Sequence, residues 1–571
     1  MQVLALAALL AAVASSTGPS PTGTQEPTRP PHVVVLMVDD LGWRDCSPAC
    51  WGDPEGPGAR HFQTPNLERL AREGMRFADA YASAPVCTPT RTSFMTGVTP
   101  ARNQITYWTR FFGRDQSARH PLLKAPSWDV DALQPGDVTL ASLMTPEYRT
   151  IHVGKAHFGT SPEGGAGGGD PTTLGFDVNI AGWAAGGPGS FYGIDDFSAA
   201  KREERRGNKG RNRNWDIPGL EEYHGQDVFL TDVLADEAER ALREGVADGE
   251  RVFLHFAPYA VHAPIMAHEG LKARFEGSGL TGPELAYATM VAAVDDATGQ
   301  LLDALDDLGI ADETLVIYTG DNGGLSAHAR GGERHTHNLP AKSGKGSAYD
   351  GGLRVPMVVR WPGVVEPGTL VRGPVVTHDL FPTLLGAAGI EIPADHAARV
   401  AGIDLRAVLD GREAPPAGRS LLFHQPHFWG VNGPGIEPFS AVRVGDHKLI
   451  YFHSGALLDE ATAAAEAMTL CLRAQRGKGE VFLASDRCHP QTLSVLRTRA
   501  VMAGITLVVS DYETWDFTDE SAGRIFGAIV QYPDTRGRVD DFEALADAAH
   551  ATKAMLVVAA DIMSLAVLRA P

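Results

Sequence analysis

The stretch HVVVLMVDDLG, His32 to Gly42, decides the fold. From Val33 to Val38 the run is unbroken and apolar, largely β-branched, with no polar alternation. That is the pattern of a strand buried on both faces. Such strands belong to sheets covered by helices on each side. The adjacent carboxylates Asp39 and Asp40 then fall just beyond the carboxyl end of the strand, the edge at which open α/β sheets bind ligands.

The same arrangement recurs downstream. Thr150 to Val153 predicts a short strand entering Gly154-Lys155, and Arg251 to Ala257 predicts one running into PYAVHAP. Thr314 to Thr319 ends in Gly320-Asp321-Asn322-Gly323, and Val355 to Arg360 follows. Helices are expected at TPNLERLAREG (64–74), with Pro at its start and Gly at its stop, and over Pro283 to Leu308. Strands alternating with helices give an α/β domain with a mostly parallel sheet. Between Ser161 and Glu222 the chain is rich in Gly, Arg and Asn and reads as a loop insertion bordering the site. From Arg419 to His453 three short strands (RSLLFH, FSAVRV, HKLIYFH) predict a small antiparallel subdomain.

A chain of 571 residues exceeds one hydrophobic core, so two or more domains are expected. The formal net charge of −20 argues against a nucleic-acid partner, while leaving room for a local basic pocket that holds a small anion. An apolar run from Val3 to Val13, then Ala12-Val13-Ala14 and a Pro/Thr/Ser stretch, predicts a signal peptide over 1–14 and a linker over 15–31. The expected location is therefore secreted or periplasmic. No other segment is long and apolar enough for a transmembrane helix, so no stable membrane insertion is expected. Of the five cysteines, Cys46 and Cys50 are close enough in sequence to pair. Cys87, Cys471 and Cys488 have no obvious partners, which excludes a disulfide framework.

Asp39 with Asp40 and Asp321 with Asn322 supply oxygen ligands at equivalent strand ends. That donor set suits a hard cation such as Ca²⁺ or Mg²⁺ and not zinc. Lys155 in VGKAHFG, Lys345 in SGKGSAYDGG and Arg91 are placed to reach an anion. The spacing before Lys345 lacks the G-x-x-x-x-G-K-[ST] loop, which excludes nucleotide binding there. His157 and His262 are candidates for proton transfer. In VCTPTRTSFMTG (86–97) the cysteine sits among Thr, Pro and Arg, a setting that suits neither a structural thiol nor a zinc ligand.

Cys87-Thr88-Pro89-Thr90-Arg91 followed by Thr96-Gly97 resembles the signature of type I sulfatases. So do DDLGW, VGKAHFG, TGDNGG and GKGSAYDGGLRVPMVVRWPG, and the likeness runs from about His32 to about His453. It implies an alkaline-phosphatase-like fold with a catalytic domain over 32–390 and a truncated C-terminal subdomain over 391–455. It also implies that a maturation enzyme oxidises Cys87 to formylglycine, whose hydrate attacks sulfur and then expels sulfate. Carried over by position, Asp39, Asp40, Asp321 and Asn322 bind one Ca²⁺ together with residue 87, and Arg91 steadies the formylglycine. Lys155 and Lys345 hold sulfate oxygens, His262 protonates the leaving alkoxide, and His157 helps deprotonate the diol. Ala156 departs from the family, which usually has Trp there. The implied substrate is a sulfated carbohydrate or an aryl sulfate, with His335, His337 and the basic run 201–213 as candidate contacts. The alternatives are a phosphate or phosphonate ester hydrolase of the same superfamily, or an inactive chimera.

From about Leu457 to Pro571 the chain resembles something else. GALLDEATAAAEAMTLCLRAQRGKG, DRCHPQTLSVLRTRA and GAIVQYPDTRGRVDDFEALADAAHA are similar to the glycine-cleavage P-protein, the pyridoxal-phosphate-dependent glycine decarboxylase. The resemblance implies a partial α/β piece of a PLP type I fold over 456–571. The family's Schiff-base lysine lies beyond the portion represented, and neither Lys478 nor Lys553 sits in its motif. No pyridoxal phosphate and no decarboxylase activity are expected of this tail. It reads as a fusion fragment and is expected to pack poorly.

Overall fold

In β1 (His32–Val38) alternate residues enter two different cores. Val34, Leu36 and Val38 join one buried cluster, and Val33, Val35 and Met37 join the other. The unbroken apolar run is thus a strand with a core on each face. Each such side chain contributes about 1.5–3 kcal/mol of burial. The computed structural model describes residues 29–47, 62–108, 120, 123–128, 130, 132–159, 169–208, 215–453, 460–475, 477–519, 521 and 523–560. The expected signal peptide, Cys50 of the expected pair, and the junction around Ser454 lie outside the described residues.

The described chain divides into two compact units, one running to Ile450 and one from Tyr451. After β1, the first unit contains β2 (Met75–Phe77), β3 (Ala80–Tyr81), β4 (Arg149–Gly154), β5 (Val178–Ile180) and β6 (Val252–Ala257). Then follow β7 (Thr314–Gly320), β8 (Met357–Arg360), β9 (Leu370–Val371) and β10 (Val375–Val376). The main sheet has eight strands in the order β5-β4-β6-β1-β7-β8-β2-β9. From β5 to β7 all pairings are parallel, and β8 runs antiparallel to both β7 and β2. The sheet is thus mostly parallel, as expected. One face packs against the helices Leu230–Ala247 and Gly282–Asp307, through residues such as Leu234, Tyr287 and Val294. The other packs against the helices Cys87–Thr96 and Leu380–Ala388, through Phe94, Met95, Phe381 and Leu384.

The stretch 161–222 is more than a loop. Val178–Ile180 adds an edge strand beside β4, and Ala199–Arg205 forms a helix capped by Ser198. Three residues are too few to show a strand period among turn-forming neighbours. At the far end of the first unit, β11 (Ser420–Gln425) pairs antiparallel with β12 (Phe439–Val444), and β13 (His447–Phe452) completes a three-stranded sheet as an edge.

The second unit holds β14 (Val481–Ser485), β15 (Thr506–Ser510), β16 (Ile525–Tyr532) and β17 (Met555–Ala560), in the order β15-β14-β16-β17 and all parallel. Its helices Glu460–Ala474 and Pro490–Ala503 close over Met468, Phe482, Leu496 and Phe526. The tail therefore has a core of its own, contrary to the expected poor packing, because two helices and four strands suffice to cover one sheet face. Apolar surface is nevertheless left over, with Val501 and Met502 each 82% exposed and Leu470 62% exposed. Lys478 and Lys553 are both exposed.

Candidate active site

Four neighbouring strands, β4, β6, β1 and β7, deliver their polar residues to one edge. Val38 pairs with Gly320, so Asp39-Asp40 and Asp321-Asn322 emerge side by side. Lys155 and His157 follow β4, and His262 follows β6. Cys87 opens the helix Cys87–Thr96, all of whose residues are buried. That helix is tied down locally: the Thr90 hydroxyl accepts from Ala84 N at 3.0 Å, and Gly97 ends it at φ +69° with its N–H on Ser93 O. A Cβ at Gly97 would lie 2.6 Å from the ring of Phe381.

One ligand atom each from Asp39, Asp40, Cys87 and Asp321 lies within 4.8 Å of the others. The Cys87 thiol faces Asp39 Oδ1 at 3.7 Å. Lys155 Nζ donates to Asp39 Oδ2 at 2.6 Å, and Lys345 Nζ lies 2.7 Å from Asp40 Oδ1. Arg91 donates from Nε to Asp321 Oδ2 at 2.8 Å and from Nη1 to Lys155 O at 2.7 Å. Asn322 Nδ2 donates to Asp40 Oδ1 at 2.8 Å. His262 Nε2 stands 3.7 Å from Asp40 Oδ2, while its Nδ1–H donates to Ala263 O at 2.7 Å. Every sequence-predicted site residue except His157 is thus linked directly into one network. His157 is fully buried beside it, and neither ring nitrogen has a hydrogen-bond partner.

Three carboxylates here oppose three cationic side chains. Burial pushes the Asp39 carboxyl up to about 8, even with Lys155 beside it. Burial acts the same way on Asp40, but Lys345, His262 and Lys155 outweigh it and hold Asp40 below the ordinary carboxylate range. Arg91 and Lys155 likewise overcome burial at Asp321 and lower it. Three carboxylates packed together in a dry site favour additional positive charge beside them. The Asn322 Oδ1 atom is buried and unpartnered. Clustered carboxylates and an orphaned amide oxygen fit a hard divalent cation. Burial pushes the Cys87 thiol up to about 12, so as a thiol it is a poor nucleophile at neutral pH. Burial, then Lys155 and Arg91, keep His157 well below its usual range. His262 falls to about 3 through burial and Lys345.

Asp40 and His157 adopt left-handed backbone conformations, φ +56° and +50°. For residues other than glycine this costs of order 1–3 kcal/mol, and such strain clusters at functional sites. The strand-end signal did not point to Asp45. Its carboxylate accepts from Gly42 N at 3.0 Å, from Tyr287 OH at 2.6 Å and from both Nη atoms of Arg330 at 2.7 and 2.8 Å. It thereby fixes the turn that follows Asp40. Asn338 was also missed. Its Nδ2 donates to Gly324 O at 3.0 Å and Ser343 O at 2.9 Å, clamping the loop that carries Lys345. Only its place in the long segment between Asn322 and Lys345 hinted at such a role.

The stretch 182–189 borders the site, as expected. A Cβ at Gly186 would lie 2.6 Å from His157 Cε1, and one at Gly187 2.6 Å from His262 Nδ1. The candidate sugar contacts fare differently. His337 spends both ring nitrogens on its own loop, with Ser326 Oγ at 3.0 Å and Gly331 O at 2.8 Å. In the basic helix Arg205 binds Asp195 at 2.6 Å and Arg206 binds Glu203 at 3.3 Å. A cavity of about 600 Å³ lies at the opposite end of the sheet, lined by His32, Arg149 and Glu313 among others, and touches none of the site residues. No helix among the described residues is long and apolar enough to cross a membrane.

Comparison with known proteins places this geometry. Residues 31–390 match the Sulfatase family, and residues 344–466 match the family described as N-sulphoglucosamine sulphohydrolase, C-terminal. Residues 450–571 match the Glycine cleavage system P-protein, of which the tail is only a fragment. Steryl-sulfatase of Mus musculus is 32% identical over 478 residues, covering 73% of this chain and 71% of its own length. N-acetylgalactosamine-6-sulfatase of Sus scrofa is 32% identical over 437 residues, covering 73% and 74%. The crystal structure of Ps i-CgsB in complex with k-i-k-neocarrahexaose shares the fold. It has a TM-score of 0.59 at 24% identity and covers 78% of this chain and 92% of that one. The strand-end carboxylates, the buried cysteine helix and these similarities agree, and the chain belongs to the sulfatase family.

Proposed function

We propose that the protein is an exported sulfatase that hydrolyses the sulfate ester of a sulfated carbohydrate, with formylglycine at position 87 and one bound Ca²⁺. The observation that carries this reading is the convergence of Asp39, Asp40, Cys87 and Asp321 within 4.8 Å, flanked by Lys155 and Lys345. The relative named N-acetylgalactosamine-6-sulfatase supports a sugar substrate. Export rests on the sequence of residues 1–14.

In this proposal Asp39, Asp40, Asp321 and Asn322 hold the cation together with residue 87. When bound, a divalent cation supplies Lewis-acid polarisation and lowers the pKa of a ligating oxygen. A formylglycine hydrate supplies two hydroxyls, one for attack on sulfur and one for release of sulfate. The chain's own side chains do the rest. Lys155 and Lys345 bind non-bridging sulfate oxygens in a water-poor site, where such contacts count most. Arg91, locked onto Asp321 and Lys155 O, keeps position 87 aimed. Ala263 O fixes the tautomer of His262, so Nε2 is the atom that carries a proton to the leaving oxygen. An anionic ester beside it offsets Lys345 and favours that proton. Burial favours the neutral form of His157, whose one unprotonated ring nitrogen can accept a proton from position 87.

The test is mass spectrometry of the peptide spanning residue 87, together with sulfate- and phosphate-release assays. Formylglycine makes that peptide about 18 Da lighter than the cysteine form, and sulfate release is expected to exceed phosphate release. An intact thiol in fully active protein, or a Cys87→Ala variant with unchanged turnover, would end the proposal.

A further inference from the structure

An aromatic rim runs between the two ends of this site. On the cysteine side, the Thr88 hydroxyl donates to Trp108 O, which ties Trp108 to the residue after Cys87. The Trp108 ring lies 5.7 Å from Tyr107, and Tyr107 lies 4.9 Å from His427. Thr106 Oγ1 meets His427 Nε2 at 2.9 Å, so this loop rests on the segment between β11 and β12. Trp429, two residues on, reaches the lysine side. Gly346, next to Lys345, donates its N–H to Pro85 O at 2.8 Å, and a Cβ there would lie 2.4 Å from the Trp429 ring. Gly346 also has φ +84°, so both its backbone and its contact call for glycine. Across from Trp429, at 6.0 Å between ring centroids, stands His328, from the loop after β7. Tyr107 and His427 are buried supports, whereas Trp429 is partly exposed and His328 is exposed.

We propose that Trp429 and His328 form a sugar-binding subsite that holds the pyranose ring bearing the sulfate, an inference that rests on the sulfatase reading above. A pyranose offers an apolar C–H face and a hydroxyl edge. The indole face of Trp429 matches the first, and the imidazole of His328 hydrogen-bonds the second. The placement beside Lys345 puts such a ring where its ester would enter the lysine pair. The Trp429 ring packs beside Gly346 and His328 lies within electrostatic reach of Lys345 and Asp40, so the subsite adjoins the sulfate pocket while Trp429 offers a face only to the alcohol portion.

The experiment is calorimetric titration of the full-length protein with N-acetylgalactosamine 6-sulfate and with inorganic sulfate, followed by kinetics on that sugar and on 4-nitrophenyl sulfate. Trp429→Ala is expected to weaken sugar-sulfate binding about five- to tenfold, in the range of one aromatic stacking contact. Affinity for inorganic sulfate should move less than twofold, and Trp429→Phe should restore most of the loss. His328→Ala should raise KM for the sugar with little effect on kcat. Unchanged sugar binding in Trp429→Ala overturns the subsite. Equal weakening of sugar and inorganic sulfate also overturns it, because Trp429 then merely props the Lys345 loop. A wild-type protein that releases sulfate from the aryl ester but neither binds nor cleaves the sugar overturns the sugar chemistry while leaving the sulfatase reading intact. Failure to cleave either ester, with formylglycine verified, defeats the sulfatase reading itself, and sugar binding in the titration then judges the subsite alone.

Discussion

Replacing Asp321 by Asn strands a guanidinium in the interior. Arg91 and Asp321 are both fully buried and joined at 2.8 Å. Removing one member of such a pair costs about 3–5 kcal/mol, because the other is left charged and dry. Here the cost belongs at the lower end, about 3 kcal/mol. Lys155 stands 4.0 Å from Asp321 to comfort it when Arg91 is gone, and Arg91 keeps its bond to Lys155 O when Asp321 is neutralised. Simple addition predicts about 6 kcal/mol for Arg91→Met with Asp321→Asn. The double variant has no stranded charge, so it should lose only about 3–4 kcal/mol, a coupling of roughly 2–3 kcal/mol. The assay is urea unfolding in EDTA, which removes any effect through bound cation, read by tryptophan fluorescence. Of the nine tryptophans only Trp515 lies beyond residue 450, so the signal reports the first unit. Additivity within about 0.5 kcal/mol would refute the argument that these charges depend on each other.

Further outcomes are open to measurement. His152 and His255 are buried and share a 3.0 Å contact between their Nδ1 atoms, and burial lowers His152 to about 3. Its folded pKa lies below the unfolded value of 6.5, so the unfolded chain takes up the proton first and stability falls as pH drops below about 6.5. Between pH 6.5 and 4.5 this amounts to about 2.3 kcal/mol; His152→Gln should flatten that slope in urea titrations, and an equal slope would contradict it. Gly186→Ala should lower kcat at least tenfold with little change in melting temperature, since its methyl would press on His157 at 2.6 Å; wild-type kcat would contradict the close approach. Ca²⁺ at a hundredfold excess over its Kd should add about 2.7 kcal/mol of stability relative to EDTA. Asn322→Ala should lose most of that gain, and an undiminished calcium-induced shift in melting temperature would remove Asn322 from the ligand set.

Much of the fold was legible in His32 to Gly42 because an apolar run without alternation has few other uses. The same holds for Asp321-Asn322, where the strand and the acidic turn are contiguous in sequence. What stayed hidden depended on distant partners. Asp45 matters through Arg330, 285 positions away, and no local pattern encodes that meeting. The edge strand Val178–Ile180 hid for the opposite reason, being too short to carry a period. His337 looked like a ligand because histidines are chemically versatile, yet its nitrogens are consumed by Ser326 and Gly331. Ala156 was visible as a departure from the family. The structure places it fully buried, within the hydrophobic cluster that also holds Phe94 and Phe158.

The strand order β4-β6-β1-β7 also sets a clock. Cys87 is 2% exposed once the sheet is complete, yet β7, which closes its surroundings, ends at Gly320, 233 residues later. At synthesis rates of about 5–20 residues per second, the segment around Cys87 stays uncovered for roughly 10–50 s. Any enzyme acting on that thiol works within this interval and competes with the arrival of β6 and β7. If position 87 is converted as proposed, faster translation or faster pairing of these strands lowers the converted fraction, even though no residue of the finished site has changed.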